Sequence, residues 1–420
     1  AQRELELAES LGLDTIVVDH HKVPEVLPPT VACLNPQRED CEFPFKGLCA
    51  AGVAFMLVVA LRRHLREKGW FENQPEPDVR SLLDIVAVAT VADMVPLEKT
   101  NRVLVTAGLK QMAKQERVGL TALITVAKVD SQRVSSSDLG FRIGPRINAR
   151  GRLSHAGAAV ELMLTNDPDL ASRLSESLDT ANRERREIQD HAVLEATECV
   201  DQADLSGMAS LVLAKPHWHP GVLGLIAAKL VNRYNRPTII IGEGGKGSAR
   251  TISGLDIHAA IDSASVHLER FGGHKAAAGL TIREESIAGF CVDFEHAVRN
   301  AMGEPPFIPT LKPDIEFNAD HLNLHMVDEM EELGPFGQKN PEPLFFSRSV
   351  PVRSSRIVGT THLKLNVGDQ GIDAIAFGMG EHLSALPHTI DIAYRIERNV
   401  FRGRENLQLR IEDIRPSDIN

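Results

Sequence analysis

The sequence predicts an α/β chain that ends in a small all-β domain. Three patterns carry this reading. Short β-branched runs alternate with helical stretches over residues 1–165 and again over 208–303, as in layered packing of strands and helices. One uninterrupted helical pattern fills 168–200. From residue 314 onward, short alternating strands dominate.

In chain order, residues 3–11 read as a helix with Leu5, Ala8 and Leu11 on one face and Gly12 as its stop. Thr15-Ile16-Val17-Val18 follows as a buried strand and runs into Asp19-His20-His21. In a βαβ unit the first helix needs a strand before it. None precedes it, and the chain does not begin with Met. The expectation is a parallel-sheet domain whose first part is missing. A helix at 48–68 comes next, then a loop at 72–77. The apolar run Leu82–Ala92 leads into Asp93-Met94-Val95-Pro96.

The long pattern repeats Leu170, Leu174, Leu178, Ala181, Ile188 and Ala192 at steps of three and four or their sums. Thirty such residues span about 45 Å, which reads as a rigid connector. The second α/β unit has strand runs at 211–213 and 238–241, a helix at 221–234, and glycine-rich turns at 242–247 and 272–273. Pro305, Pro306, Pro309 and Pro313 mark a linker. Strands at 350–358, 362–367, 371–377, 389–397 and 407–414, with a helical piece at 320–333, fit a small barrel or sandwich, an OB-fold first among them. The expected divisions are 1–165, 166–203, 204–304 and 305–420.

Composition narrows the class. The chain has 420 residues, 43% hydrophobic and 25% charged, as in globular proteins of two or three domains. No apolar stretch is long enough to cross a membrane, and the acidic start is not a signal peptide. The five cysteines include no Cys-x-x-Cys pair, which points to a reducing, cytoplasmic setting without disulfides or a zinc knuckle. A net charge of −11 argues against nucleic acid if taken alone. Carboxylates that ligate cations weaken that argument, and so does the clustering of arginines at 142–152.

Asp19-His20-His21 is the most informative triplet. A carboxylate and two imidazoles at a strand end suit a divalent first-row cation. Open α/β sheets bind ligands at those carboxyl ends. Asp93 is a further candidate ligand. Two cations clamp the attacking and leaving oxygens in phosphoester hydrolysis, and four side chains fall short of such a site. Asp84 reads as a helix or capping carboxylate, and Asn35-Pro36 as a turn.

Arg142, Arg146, Arg150 and Arg152 lie among glycines in a stretch expected to form a loop. Arginine forks match phosphate oxygens. Gly247-Ser248-Ala249-Arg250 offers small residues, a hydroxyl and a guanidinium to a terminal phosphate. Gly272-Gly273-His274 frees backbone N–H groups beside an imidazole. His217-Trp218-His219 tempts a metal reading that nothing nearby completes, and Trp218 suits packing. Phe336 in Gly334-Pro335-Phe336-Gly337 either stacks a base or anchors its loop. Lys364, Arg402, Arg404 and Arg410 are weaker groove candidates.

Taken in order, these motifs resemble the DHH phosphoesterases, named for the Asp-His-His triplet. With the long helix and the OB-like end, they resemble that family's single-strand exonucleases over essentially the whole chain. The resemblance implies a truncated parallel-sheet DHH domain, a linker helix, a DHHA1-type accessory domain and an OB-like domain. It implies a 5′-to-3′ exonuclease for single-stranded DNA, acting in repair and recombination with Mn²⁺ or Mg²⁺, two ions in the complete enzyme. Asp19, His20, His21 and Asp93 would be ligands, with His20, His21 and Asp93 catalytic. Arg146, Asn148, Arg152, His219, Ser248, Arg250, Gly272, Gly273, His274 and Phe336 would meet the strand. A helicase and a single-strand-binding protein are the implied partners. Two alternatives stay open. One is a phosphodiesterase for short oligonucleotides or cyclic dinucleotides. The other is a single-strand binder that does not catalyse.

Overall fold

In a computed structural model, residues 2–24, 26–153, 156–401 and 403–417 are described, with the side chains of Arg152, Leu153 and Phe401 left aside. The chain forms two compact units, residues 1–144 with 311–420, and residues 145–310.

In the first unit, α1 (Gln2–Ser10) precedes β1 (Ile16–Val18), which pairs in parallel with β2 (Ala32–Leu34). Helix α2 (Ala50–Glu67) is capped by Cys49, whose sulfur accepts from the Gly52 N–H. The apolar run before Asp93 is helix α3 (Leu83–Ala92). It is apolar nearly all round because most of it is buried, Val86, Ala87, Val88 and Thr90 included. A short apolar run of that kind has no period that separates strand from helix. Helix α4 (Lys99–Met112) packs against it so closely that a Cβ on Gly108 would lie 2.3 Å from the Leu83 carbonyl oxygen. Helix α5 (Val118–Val126) and the one-turn α6 (Ser136–Asp138), closed by a Ser135–Asp138 capping box, complete this part.

The same unit carries a barrel. Its strands are β9 (Phe345–Val358), β10 (His362–Val367), β11 (Ile372–Ala376), β12 (Thr389–Phe401) and β13 (Arg404–Pro416). They run in the order β10-β11-β13-β12-β9, and β9 closes back on β10. Pairing is antiparallel except for β11 with β13. This is the five-stranded OB-fold. The two-residue β8 (Ile315–Glu316) extends β9. The expected helical piece at 320–333 is a short turn at 319–321 followed by α13 (Leu324–Glu332). The barrel interior holds Leu363, Leu365, Ile392, Tyr394 and Leu409.

In the second unit, the arginine-rich stretch is helical, not the expected loop. A π-turn at Leu139–Ile143 ends the first unit and runs into α7 (Gly144–Leu153). Pro145 stands in the first turn, where its missing N–H costs nothing. Helix α8 (Gly157–Leu164) leads to α9 (Pro168–Asp201), 34 residues and about 51 Å long. Asp167 caps α9 by accepting from the N–H groups of Asp169 and Leu170, with Pro168 at the first position. Its Ala192 and Ala196 pack on the core of the following domain, with Trp218, Leu223 and Ile226. The sheet runs β3 (Leu211–Ala214), β4 (Thr238–Ile241), β5 (Lys246–Arg250), β7 (Ala277–Ile282) and β6 (Leu268–His274), with only β3–β4 parallel. Helices α10 (Leu223–Tyr234), α11 (Ile257–Ser263) and α12 (Ile287–Met302) pack with it. Gly272 and Gly273 lie inside β6, not in a turn. At Gly273 φ is +151°, and a Cβ there would sit 2.5 Å from the Ala277 carbonyl oxygen. No helix among the described residues is long and apolar enough to cross a membrane.

Candidate metal centre and strand-end site

The triplet sits where β1 and β2 end. The Asp19 N–H donates to the Leu34 carbonyl, which extends the ladder by one residue. Asp19 Oδ1 then accepts from the His20 N–H at 2.7 Å, the His21 N–H at 3.2 Å and His21 Nδ1 at 2.7 Å. These bonds bend the chain back on itself and bring one ligand atom of each residue within 4.8 Å of the others. Asn35, which the sequence marks only as a turn, holds the bend. Its amide donates to the His21 carbonyl at 2.9 Å, and its oxygen accepts from the Gln37 N–H at 2.9 Å.

Asp93 arrives from the other side. It caps the C-terminus of α3, and Met94 after it has φ +56°. His20 Nε2 lies 3.1 Å from Asp93 Oδ2. Two carboxylates, two imidazoles and the negative end of a helix converge here. That set favours a positive charge at this spot and offers the hard and borderline ligands that Mn²⁺ and Mg²⁺ take. Burial pushes the Asp19 carboxyl up, but its bonds from His21 and from the two backbone N–H groups outweigh this and hold it below its usual range. Asp19 is therefore anionic at neutral pH. Asp84 on α3 is a structural ion pair, as its helix position implies: Arg117 Nε reaches its Oδ2 at 2.8 Å.

The second cluster belongs to residues 145–310. Ser248 and Arg250 stand on β5, where Ser248 is in register with Gly279 and Gly279 with Gly272. A cleft of about 440 Å³ is lined by Pro220, Lys246, Ser248, Arg270, Gly272 and Thr281. Helix α10 points its N-terminus at this place. A Cβ on Gly224 would lie 2.7 Å from Arg250 Nη2 and 3.0 Å from Ser248 Oγ. Helix N-terminus, hydroxyl and guanidinium are groups whose chemistry suits an anion. His219 Nδ1 accepts from the Gly221 N–H, and His274 Nδ1 accepts from the Ala276 N–H. His217 turns away to Glu195 Oε2 at 2.9 Å, so the His-x-His pair does not converge. Trp218 is buried and donates to the same oxygen at 2.7 Å. Lys246, Arg270 and Glu195 were not anticipated. The first two flank Ser248 and Gly272 closely enough in sequence to have been found, whereas Glu195 lies far from the loop that it fixes.

Other expected contacts fall out differently. Arg146 is only 12% exposed and pairs with Asp179 on α9 at 2.9 Å. Arg150 donates to Ser177 Oγ at 2.5 Å. Helix formation turned these arginines onto α9, because an arginine on a helix reaches what its face meets. Asn148 remains exposed, beside an apolar cleft of about 650 Å³ lined by Ile147, Val160 and Leu164. The Arg152 side chain and Arg402 lie outside the described residues. Phe336 sits in a docked loop: Ser136 Oγ donates to its carbonyl at 2.7 Å, and the Leu97 N–H donates to the Gln338 carbonyl at 2.7 Å. Lys364 pairs with Asp373, and Arg410 with Glu342, so neither points a lone charge at a groove.

Family models describe the same parts. Residues 1–90 match the DHH family N-terminal domain, 206–300 the DHHA1 domain and 313–413 the RecJ OB domain. The single-stranded-DNA-specific exonuclease RecJ of Dickeya dadantii (strain 3937) is 38% identical over 97% of this chain and 74% of that protein. The chain belongs to the RecJ family. The Escherichia coli (strain K12) RecJ is 36% identical over 98% of this chain and 75% of its own length. The crystal structure of RecJ in complex with Mn²⁺ from Thermus thermophilus superposes with a TM-score of 0.83 at 30% identity. That match covers 98% of this chain and 60% of the solved RecJ chain. A Mg²⁺ complex of RecJ from the same organism gives a TM-score of 0.81. The chain is thus a hydrolase-family member built from DHH, DHHA1 and OB domains. It spans about three quarters of the Dickeya and Escherichia proteins, 74% and 75%.

Proposed function

We propose that the protein hydrolyses single-stranded DNA from its 5′ end with the help of Mn²⁺ or Mg²⁺. The observation that carries this is the cluster of Asp19, His20 and His21 where two parallel strands end, with Asp93 at the end of α3 3.1 Å from His20 Nε2. These four residues would hold the cation. When bound, it neutralises charge on the phosphodiester and lowers the pKa of a water. Asp19 orients His21 through its Nδ1–H, and His20 faces Asp93. The binding work falls to the other unit. Ser248, Arg250 and the N-terminus of α10 receive a terminal phosphate, which sets the polarity. Gly272 lines the cleft, and with Gly273, His219 and His274 it would place the nucleotide. Asn148 and the Arg146 helix would support the strand. A helicase and a single-strand-binding protein in the cytoplasm would supply and protect such a substrate.

The test is hydrolysis of end-labelled single strands, blunt duplex and a dinucleotide by the full-length protein with Mn²⁺, beside its Asp93→Ala variant. Mononucleotides released from 5′ ends of single strands, and lost in the variant, are expected. Preference for the dinucleotide, or release from 3′ ends, would overturn the reading.

A further inference from the structure

We propose that Phe377 and His362 form a base-stacking platform for single-stranded DNA on the barrel, with Arg356 as its phosphate contact. The proposal rests on the single-strand reading above. OB-folds bind oligonucleotides on the face of their second and third strands, beside the loop between the first two. Here those strands are β10 and β11, and that loop is 359–361. Leu363, Leu365 and Val367 point into the core, so His362, Lys364 and Asn366 point outward. Register places His362 beside Val358, and Lys364 beside both Arg356 and Ile375. Phe377 follows the last residue of β11, next to His362.

Phe377 is 57% exposed. Its ring meets His362 edge to face, with centroids 5.2 Å apart at 78°. The pair is held by backbone. The Gly378 N–H donates to His362 Nδ1 at 3.1 Å, and the Gly380 N–H donates to the Thr361 carbonyl at 2.9 Å. Gly378 has φ +74°, the left-handed turn that brings its N–H back to the imidazole. An ordered aromatic face open to solvent loses little freedom when a base lies on it. Among the described residues, the exposed side chain of Arg356 on the neighbouring strand makes no hydrogen bond or ion pair. Farther round the same face the charges cancel. Lys364 pairs with Asp373 at 3.3 Å, and Arg410 meets Glu342, Glu397 and Glu412. A backbone phosphate is therefore drawn toward Arg356, which places the adjacent base over Phe377. Phe336, the aromatic singled out by sequence, lies instead in a loop docked on Ser136 and Leu97.

The experiment measures affinity of the full chain for oligo(dT) and for an abasic strand of equal length, without divalent cations. Phe377→Ala should weaken oligo(dT) binding about 5- to 150-fold, the range of one base–aromatic stack. It should leave the abasic strand unchanged. Phe377→Trp should restore affinity, and its added fluorescence should be quenched by oligo(dT). Arg356→Gln should weaken both strands alike and flatten the salt dependence. Equal oligo(dT) affinity in Phe377→Ala, or equal losses on both strands, would overturn the platform. Should Phe377→Ala fail to fold by circular dichroism, an unquenched Phe377→Trp would overturn it. Failure of the wild-type chain to bind either strand would instead bring down the single-strand reading itself.

Discussion

Gly224→Ala separates the strand-end site from the stability of the helix that carries it. Gly224 is the second residue of α10. The new methyl would stand 2.7 Å from Arg250 Nη2 and 3.0 Å from Ser248 Oγ. The first is closer than real contacts allow and the second is merely tight, and the guanidinium is the freer of the two to move. Arg250 should swing away from the helix N-terminus. The helix itself gains, because Ala is favoured over Gly by about 1 kcal/mol within a helix. The anion site loses a charge-assisted hydrogen bond of about 1.5–3 kcal/mol, which is roughly 10- to 150-fold in affinity. The assay is the ratio of dissociation constants for 5′-phosphorylated and 5′-hydroxyl oligonucleotides without divalent cations, with the thermal midpoint recorded beside it. The ratio should collapse while the midpoint holds or rises. An unchanged ratio, or an equal loss for both ends, would refute the assignment of the phosphate to Ser248 and Arg250.

Three further outcomes are expected. Asp93→Ala should lower Mn²⁺ affinity at least about tenfold by calorimetry, on the order expected from disturbing a metal's ligand shell, and spare single-strand binding without metal. Arg117→Ala leaves the Asp84 carboxylate, 5% exposed, without its partner. It should cost about 3–5 kcal/mol in urea unfolding, and a loss below about 1 kcal/mol would show that the pair is dispensable. Glu295 is pushed up by burial, but the Ser210 hydroxyl, the Ala209 and Ser210 N–H groups and Arg299 together hold it below its ordinary value of 4.5. A depressed carboxyl stabilises the fold above its unfolded pKa and loses that contribution as pH falls through the folded value. Glu295→Gln should therefore be less stable than wild type at neutral pH, with the gap closing below about pH 4. A gap that persists at low pH would contradict this.

Much of the candidate site was legible in the sequence because local chemistry writes it. Asp19-His20-His21 follows a β-branched strand, and its bend is made by bonds among those three residues. Asp167-Pro168 fixes the start of α9 by capping and by a proline preset for a first turn. The alternation at 362–367 gave the inward Leu363, Leu365 and Val367 of the barrel. The arginine stretch misled, since glycines and a proline read as loop where packing on α9 made a helix. Gly272-Gly273 misled likewise, because a glycine pair marks a turn as readily as a strand against which other backbone packs closely.

The sequence by itself determined the strand-end triplet, the long capped helix and the alternating strands, all set by contacts within a few residues. Only the tertiary structure decided that Asp93 comes off a helix and meets His20, that Asn35 clamps the bend, and that α10 aims its N-terminus at Ser248 and Arg250. It also decided that Arg146 belongs to Asp179, and that Phe377, unlike Phe336, is an open aromatic among the described residues of the barrel. Each of these joins residues far apart in the chain. Their meeting is set by which apolar faces pack together, and no local pattern records that choice.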